Sequence, residues 1–170
     1  MGAMEPHATR PHMPGYGVLS ANQGTGLLPW SEAQRRLAAS HDYWLATTWP
    51  TGRPHVMPVW GLWDDDAVWI STGGRSRKLA NLRRDPRCVI TSSDARNPVI
   101  VDGEAKIVTE IAGISRFLRL LNEKYGTSYA IGFLDPAVNA TIRIVPVTAF
   151  ALLQADFTGS PTRWRFATQR

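Results

Sequence analysis

One run constrains this chain more than any other: Asp64-Asp65-Asp66, then Ala67-Val68-Trp69-Ile70, then Ser71-Thr72-Gly73-Gly74, then Arg75 to Asp85. Three consecutive carboxylates repel one another and belong in solvent, so they mark a turn. The apolar stretch behind them predicts a strand over Ala67–Thr72. Gly73-Gly74 breaks the strand, Ser76 is placed to cap a helix over 76–84, and Asp85-Pro86 stops that helix. A strand handing over through a glycine turn to a basic helix can hold a phosphate. The turn gathers backbone N–H groups, the helix N-terminus carries a partial positive charge, and Arg77 and Lys78 add full charges. The same run reads equally as a strand, a loop and a solvated basic helix, so this chemistry alone does not choose.

The flanking sequence supplies more strands than helices. Ser31-Glu32-Ala33-Gln34 has capping-box spacing and predicts a short helix to about Ser40. Tyr43–Trp49 is aromatic and β-branched and predicts a strand, followed by a turn at Pro50-Thr51-Gly52-Arg53. The next strand, His55–Trp63, alternates His55, Met57 and Val59 against Val56, Pro58 and Trp60. Pro58 lacks a ladder donor, which requires an edge or a bulge there. Strands over Arg87–Ser92 and Val99–Val108 pair as a hairpin around Asp94–Asn97. Ile111, Ile114, Leu118 and Leu121 fall on one face of a helix from Glu110 to Tyr125, which Gly126 ends. Residues 127–138 read as a loop, Thr141–Leu153 as a strand bent at Pro146, and the end near Thr162–Phe166 as a short strand with Trp164 and Phe166 on opposite sides. Residues 1–29, rich in Pro and Gly, read as a flexible tail or an arm lying on another subunit. Residues 30–170 read as one domain. At least six strands joined mostly by tight turns, with two or three helices, predict an antiparallel sheet closed as a barrel with helices over its ends.

Charge and cysteine usage exclude several classes of function. Of 19 basic residues only Lys78, Lys106 and Lys124 are lysine, leaving 19 − 3 = 16 arginines, against 14 acidic residues. Arginine suits flat or oxyanionic groups, although genomic base composition accounts for the bias as well. The net charge of +5 points to an anionic partner. The basic residues form no block and match no nucleic-acid motif, so nucleic acid ranks last. Cys88 is the only cysteine, which excludes an intrachain disulfide and cysteine metal spacing. No signal peptide or membrane-spanning run is evident, and the cytoplasm is expected. No carboxylate pair, Ser-His-Asp set or His/Cys cluster stands out. No catalytic residue and no metal ligand is therefore assigned, with His55 the one side chain considered as a proton donor.

Three segments together resemble a known family. They are Gly52-Arg53-Pro54-His55-Val56-Met57-Pro58-Val59-Trp60, then Val68-Trp69-Ile70-Ser71-Thr72, then Ser76-Arg77-Lys78-Leu79-Ala80-Asn81-Leu82 with Asp85-Pro86-Arg87. The pattern is similar to the split-barrel flavin and deazaflavin oxidoreductases, the superfamily named after pyridoxamine 5′-phosphate oxidase. The resemblance implies a six-stranded split β-barrel of the FMN-binding type. It also implies an obligate homodimer with two cofactor sites at its interface. Carried over by position, His55, Val56, Met57, Pro58, Val59 and Trp60 would flank the isoalloxazine-type ring, and Ser71 and Thr72 would sit at its end. Ser76, Arg77 and Lys78 would hold the cofactor phosphate with help from Asn81, and Trp164 would approach the ring from the neighbouring chain. His55 and Trp60 stand where true pyridoxamine phosphate oxidases carry an Arg and a Lys, and the Arg-Leu-His-Asp run near the C-terminus is absent. The resemblance therefore points away from vitamin oxidation. It points toward the actinobacterial branch using the deazaflavin F420, whose phosphate and polyglutamate tail suit an arginine-rich groove. That would make the chain an F420-dependent oxidoreductase of a small conjugated substrate. An FMN-dependent member, or a flavin-, F420- or haem-binding module without turnover, is the alternative.

Overall fold

Asp65 and Asp66 both take left-handed backbone conformations, with φ of 49° and 54°. Two such residues in succession form the tight turn whose twist matches a right-twisted hairpin, and Asp tolerates the geometry better than most side chains. They join β3 (Pro54–Asp64) to β4 (Ala67–Gly73) in the computed structural model, which describes residues 5–167. The acid run is neutralised locally. Arg116 pairs with Asp64 at 2.8 Å, and Arg143 donates to the Asp65 carbonyl at 2.7 Å.

The remaining elements are β1 (His7–Thr9), α1 (Trp30–Ala39), β2 (Asp42–Thr48), α2 (Arg77–Arg84), β5 (Arg87–Ser92), β6 (Val99–Val108), α3 (Ile111–Tyr125), β7 (Asn139–Ala151) and β8 (Thr162–Arg165). Short 3-10 turns at Ile131–Leu134 and Gln154–Asp156 lie between the later elements. The sheet runs β1-β8-β7-β4-β3-β2-β5-β6, all antiparallel, and β6 pairs back onto β7. Strands β2 to β7 thus close a six-stranded barrel, and β8 and β1 extend its wall. Mainly β structure with three α-helices among the described residues matches the expected class.

The barrel is not evenly closed. Strand β3 pairs with β2 along residues 54–60 but with β4 only along 61–64. The first half of β3 therefore has one free edge. Pro58 lies within that half, in register with Trp44, in the partly unpaired kind of strand where proline is tolerated. The barrel interior is filled by Tyr43, Leu45, Val59, Val68, Ile70, Ile90, Val101, Ile142 and Ile144, with α1 closing one end through Trp30, Ala33 and Leu37. A second cluster outside the barrel packs Ile114, Phe117, Leu118 and Leu121 of α3 onto Leu62, Ala67 and Trp69.

Several local expectations are corrected. Ser31 does not cap α1. Pro29 stands at the N-cap with no side-chain bond, and Glu32 is drawn into pairs with Arg35 and Arg36 at 2.7 and 2.9 Å. Ile111 is 76% exposed, and Phe117 takes its place on the buried face of α3. The bend near Pro146 is a register shift opposite Asp102 and Gly103, which leaves Val147 out of the ladder. Trp164 and Phe166 share one side, as strand period two demands, and both pack edge-on against Trp30.

The stretch expected to be a flexible tail or an arm on another subunit contains β1, which pairs with β8 of its own chain, and Leu28 is buried. Its organiser is Arg10. The guanidinium donates to five carbonyls, those of Ser20, Gln23, Gly26, Gly159 and Pro161, at 2.8–3.4 Å. A long-range cluster of this kind leaves no periodic trace in sequence.

Candidate functional site

The site assembles where β4 ends and α2 begins. Thr72 Oγ1 donates to Ser76 Oγ at 2.9 Å, and Ser76 Oγ also accepts the Leu79 N–H at 3.3 Å. Ser76 is thus the N-cap of α2, as expected. A hydroxyl that accepts twice still has its own proton to give. The Ser76 N–H is spent on Gly73 O at 2.9 Å and the Gly74 N–H on Val138 O at 2.7 Å. The first N–H groups of a helix have no intrahelical carbonyl. With Leu79 capped, those of Arg77 and Lys78 remain available. The corner therefore offers two backbone donors, one hydroxyl donor and two cationic side chains, with the positive end of α2 behind them.

Arg77 is held in place. Its guanidinium lies 4.0 Å over the Trp49 ring, and Trp49 in turn packs edge-on to His55 at 6.3 Å and 74°. Strand β2 carries Thr47 opposite His55, so both side chains project to the same face. Thr47 Oγ1 lies 3.4 Å from His55 Nδ1 and accepts from Asn81 Nδ2 at 3.0 Å. Two chains of contact thus tie α2 to the free half of β3, one through Arg77 and Trp49, the other through Asn81 and Thr47.

The expected site residues divide accordingly. His55, Thr72, Ser76, Arg77 and Asn81 are linked by these contacts, and Lys78 is adjacent and half-buried. Asn81 is only 1% exposed and reaches the site through its bond to Thr47. Met57 and Val59 follow His55 on the inward face. Val56, Pro58 and Trp60 point outward, because alternate residues of a strand face opposite ways. Ser71 is separated from Thr72 for the same reason. Trp164 is corrected. It is 1% exposed and enclosed in the barrel core against Trp30, with no face left for a neighbouring chain's ring.

Thr47 and Trp49 went unselected from sequence. The available signal was alternation in Tyr43–Trp49, which turns Thr47 inward and gives a buried hydroxyl that needs partners. A second unselected feature braces the far end of β3. Tyr125 stacks on Trp60 at 4.2 Å and 5°, and Lys124 Nζ donates to the Ser40 and Gly61 carbonyls, both at 2.6 Å. Burial pulls the Lys124 amine down to about 8, opposed only by Asp42. Cys88 lies elsewhere in the core, where burial pushes its thiol up to about 12 and makes it inert. Among the described residues no group of His, Cys, Asp or Glu could hold a metal ion, and no helix is long and apolar enough to cross a membrane.

A six-stranded barrel split along one strand, with a capped basic helix opening beside the split, defines a split β-barrel protein. The family model described as pyridoxamine 5′-phosphate oxidase matches residues 30–153, and the chain belongs to that family. This is a family of flavin- and F420-dependent oxidoreductases, some of whose members are non-catalytic. Among solved structures, the chain is similar to the conserved protein Rv2991 from Mycobacterium tuberculosis, at 26% identity and a TM-score of 0.64, covering 81% of this chain and 85% of the other. It is similar in fold to a structure described as an F420 reductase, at 22% identity and 0.57, covering 68% and 94%. A FAD-binding protein from Mesorhizobium loti shares the fold at 18% identity and 0.57, covering 82% and 96%. No curated protein matches the chain.

Proposed function

We propose that the chain is an F420-dependent oxidoreductase that exchanges a hydride between the deazaflavin and a small conjugated organic substrate, working as a homodimer with its two sites at the interface. The observation that carries this reading is the donor set at the start of α2. The Ser76 hydroxyl and the uncapped Arg77 and Lys78 N–H groups meet at the start of α2, on the half-buried and exposed residues that also carry the two cationic side chains. That set suits a phosphate, and the exposed Arg53, Arg75, Arg83 and Arg84 suit the further negative charge of a polyglutamate tail. The likeness in fold to the structure described as an F420 reductase supports the F420 reading.

When bound, the deazaflavin supplies the hydride chemistry. The chain's residues bind and orient. Ser76, Arg77 and Lys78 would fix the phosphate, and Trp49 would keep Arg77 from swinging away. The unpaired backbone of residues 55–60 would meet the polar edge of the ring, with the exposed Met57 as its apolar floor.

The outer face of the same hairpin supports the dimer. Trp44, Val56 and Trp60 are 46%, 52% and 45% exposed side by side, a large apolar surface for a lone chain.

The test is a titration of the purified chain with F420 and with FMN, followed by turnover of the bound, reduced cofactor against enones and quinones. F420 binding with oxidation by at least one acceptor is expected. Binding of FMN alone overturns the F420 assignment, and F420 binding without any turnover overturns the enzyme assignment in favour of a binding module.

A further inference from the structure

Thr47 and Asn81 stand behind His55 almost without solvent exposure, at 3% and 1%. A buried hydroxyl carries one proton and must place it. The Thr47 oxygen already accepts from Asn81 Nδ2 at 3.0 Å, and an amide nitrogen cannot take a proton back. Among the described residues its one other hydrogen-bonding partner is His55 Nδ1, at 3.4 Å. The proton therefore goes to Nδ1, which accepts it only when it bears none of its own. The imidazole is then neutral with its hydrogen on Nε2. Edge-on packing of Trp49 limits rotation of the ring out of this arrangement.

We infer that Thr47 and Asn81 are positioning residues that hold His55 as the Nε2–H tautomer, so that its imidazole donates one hydrogen bond to an acceptor atom of the ring system seated against β3. The inference rests on the cofactor reading above and sharpens it. A neutral donor there recognises a carbonyl oxygen or an unprotonated ring nitrogen, where a fixed cation would instead seek negative charge. The relay also explains why Asn81 is buried beneath the site. Its amide sets the direction of the Thr47 hydroxyl, and it needs no contact with the cofactor.

Two measurements test this. The first needs no cofactor: long-range proton–nitrogen correlation spectra of the full chain, with the His55 signals identified by their loss in His55→Gln. The wild type is expected to show Nδ1 unprotonated and Nε2 protonated. Thr47→Val, nearly isosteric, is expected to give a mixture of tautomers, and Thr47→Ser to restore the wild-type pattern. A wild type with the proton on Nδ1, the pattern produced by a reversed Asn81 amide, overturns the relay, and so does a tautomer unmoved by Thr47→Val. The wild-type spectrum decides the point even if Thr47→Val does not fold.

The second measurement is fluorescence titration with F420 and with FMN. Thr47→Val should weaken the probe that binds about fivefold, the size of one neutral hydrogen bond, with Thr47→Ser within about twofold of wild type. Equal affinity in all three overturns the donor role. If the wild type binds neither probe, the cofactor reading and the donor role fall together, while the spectra still judge the relay on its own.

Discussion

Replacing Ser76 with alanine removes one oxygen that serves two donors. The Leu79 N–H, on a residue with no exposed surface, loses its cap, and the Thr72 hydroxyl, on a residue 7% exposed, loses its acceptor. Loss of a serine cap costs about 1 kcal/mol. Stranding a nearly buried hydroxyl adds about 1 kcal/mol, at the low end for such groups because Thr72 retains slight access to water. The expected loss is therefore about 2 kcal/mol, or roughly 4–8 °C in melting temperature for a domain of this size. A double-mutant cycle separates the two parts. Thr72→Val removes the stranded donor, so Ser76→Ala in that background should cost only the cap, about 1 kcal/mol, and the coupling should be about 1 kcal/mol. Urea unfolding followed by circular dichroism measures all four proteins. Additive losses would show that Thr72 and Ser76 do not share a proton. A Ser76→Ala variant as stable as wild type would show that the corner is not the start of a capped helix.

Other predictions address function, assembly and pH. Lys78→Ala should weaken the bound cofactor by about 1.5–3 kcal/mol, the range for a charge-assisted contact, with unfolding unchanged; equal affinity in a binding titration would remove α2 from the site. Trp44→Glu places a charge on an exposed apolar face, so light scattering should find the wild type at twice 18.8 kDa and the variant at 18.8 kDa, with a monomeric wild type refuting the dimer. Folded Lys124 releases its proton near pH 8 while the unfolded chain keeps it to about 10.5, so the unfolded state binds more protons in that window and stability rises with pH. Burial also pushes the Cys88 thiol up to about 12 and Tyr43 above the ordinary phenol range, so from about pH 9 upward the unfolded chain ionises these groups first, which offsets the Lys124 rise and then makes stability fall. Lys124→Met should abolish the rise and keep the fall, as read from urea midpoints between pH 7 and 11.

Much of the barrel was legible because its signals are local. Strands β5 and β6 have the expected bounds, since alternation within each is unbroken and a polar turn separates them. The Ser76 cap and the Gly126 stop of α3, with φ of 63°, depend only on residues within one turn. The half of the site on α2 was legible for the same reason. The half on β2 was not. Thr47 and Trp49 matter only because strand pairing sets them beside His55, and sequence does not state which strands pair. The burial of Asn81 and its bond to Thr47 were not legible either, because spacing on a helix shows which side a residue occupies and not what covers it.

By itself the sequence determined at least six of the strands, a turn-rich antiparallel order and one phosphate-suited helix start, because each is settled by backbone preferences over a few neighbouring residues. Tertiary structure alone decided that β3 would leave half its edge unpaired, that Trp164 would be sealed in the core, and that Arg10 would fasten the first residues to the last turn. Those outcomes are set by which surfaces can be buried together once the barrel closes, and that competition involves residues up to 151 positions apart.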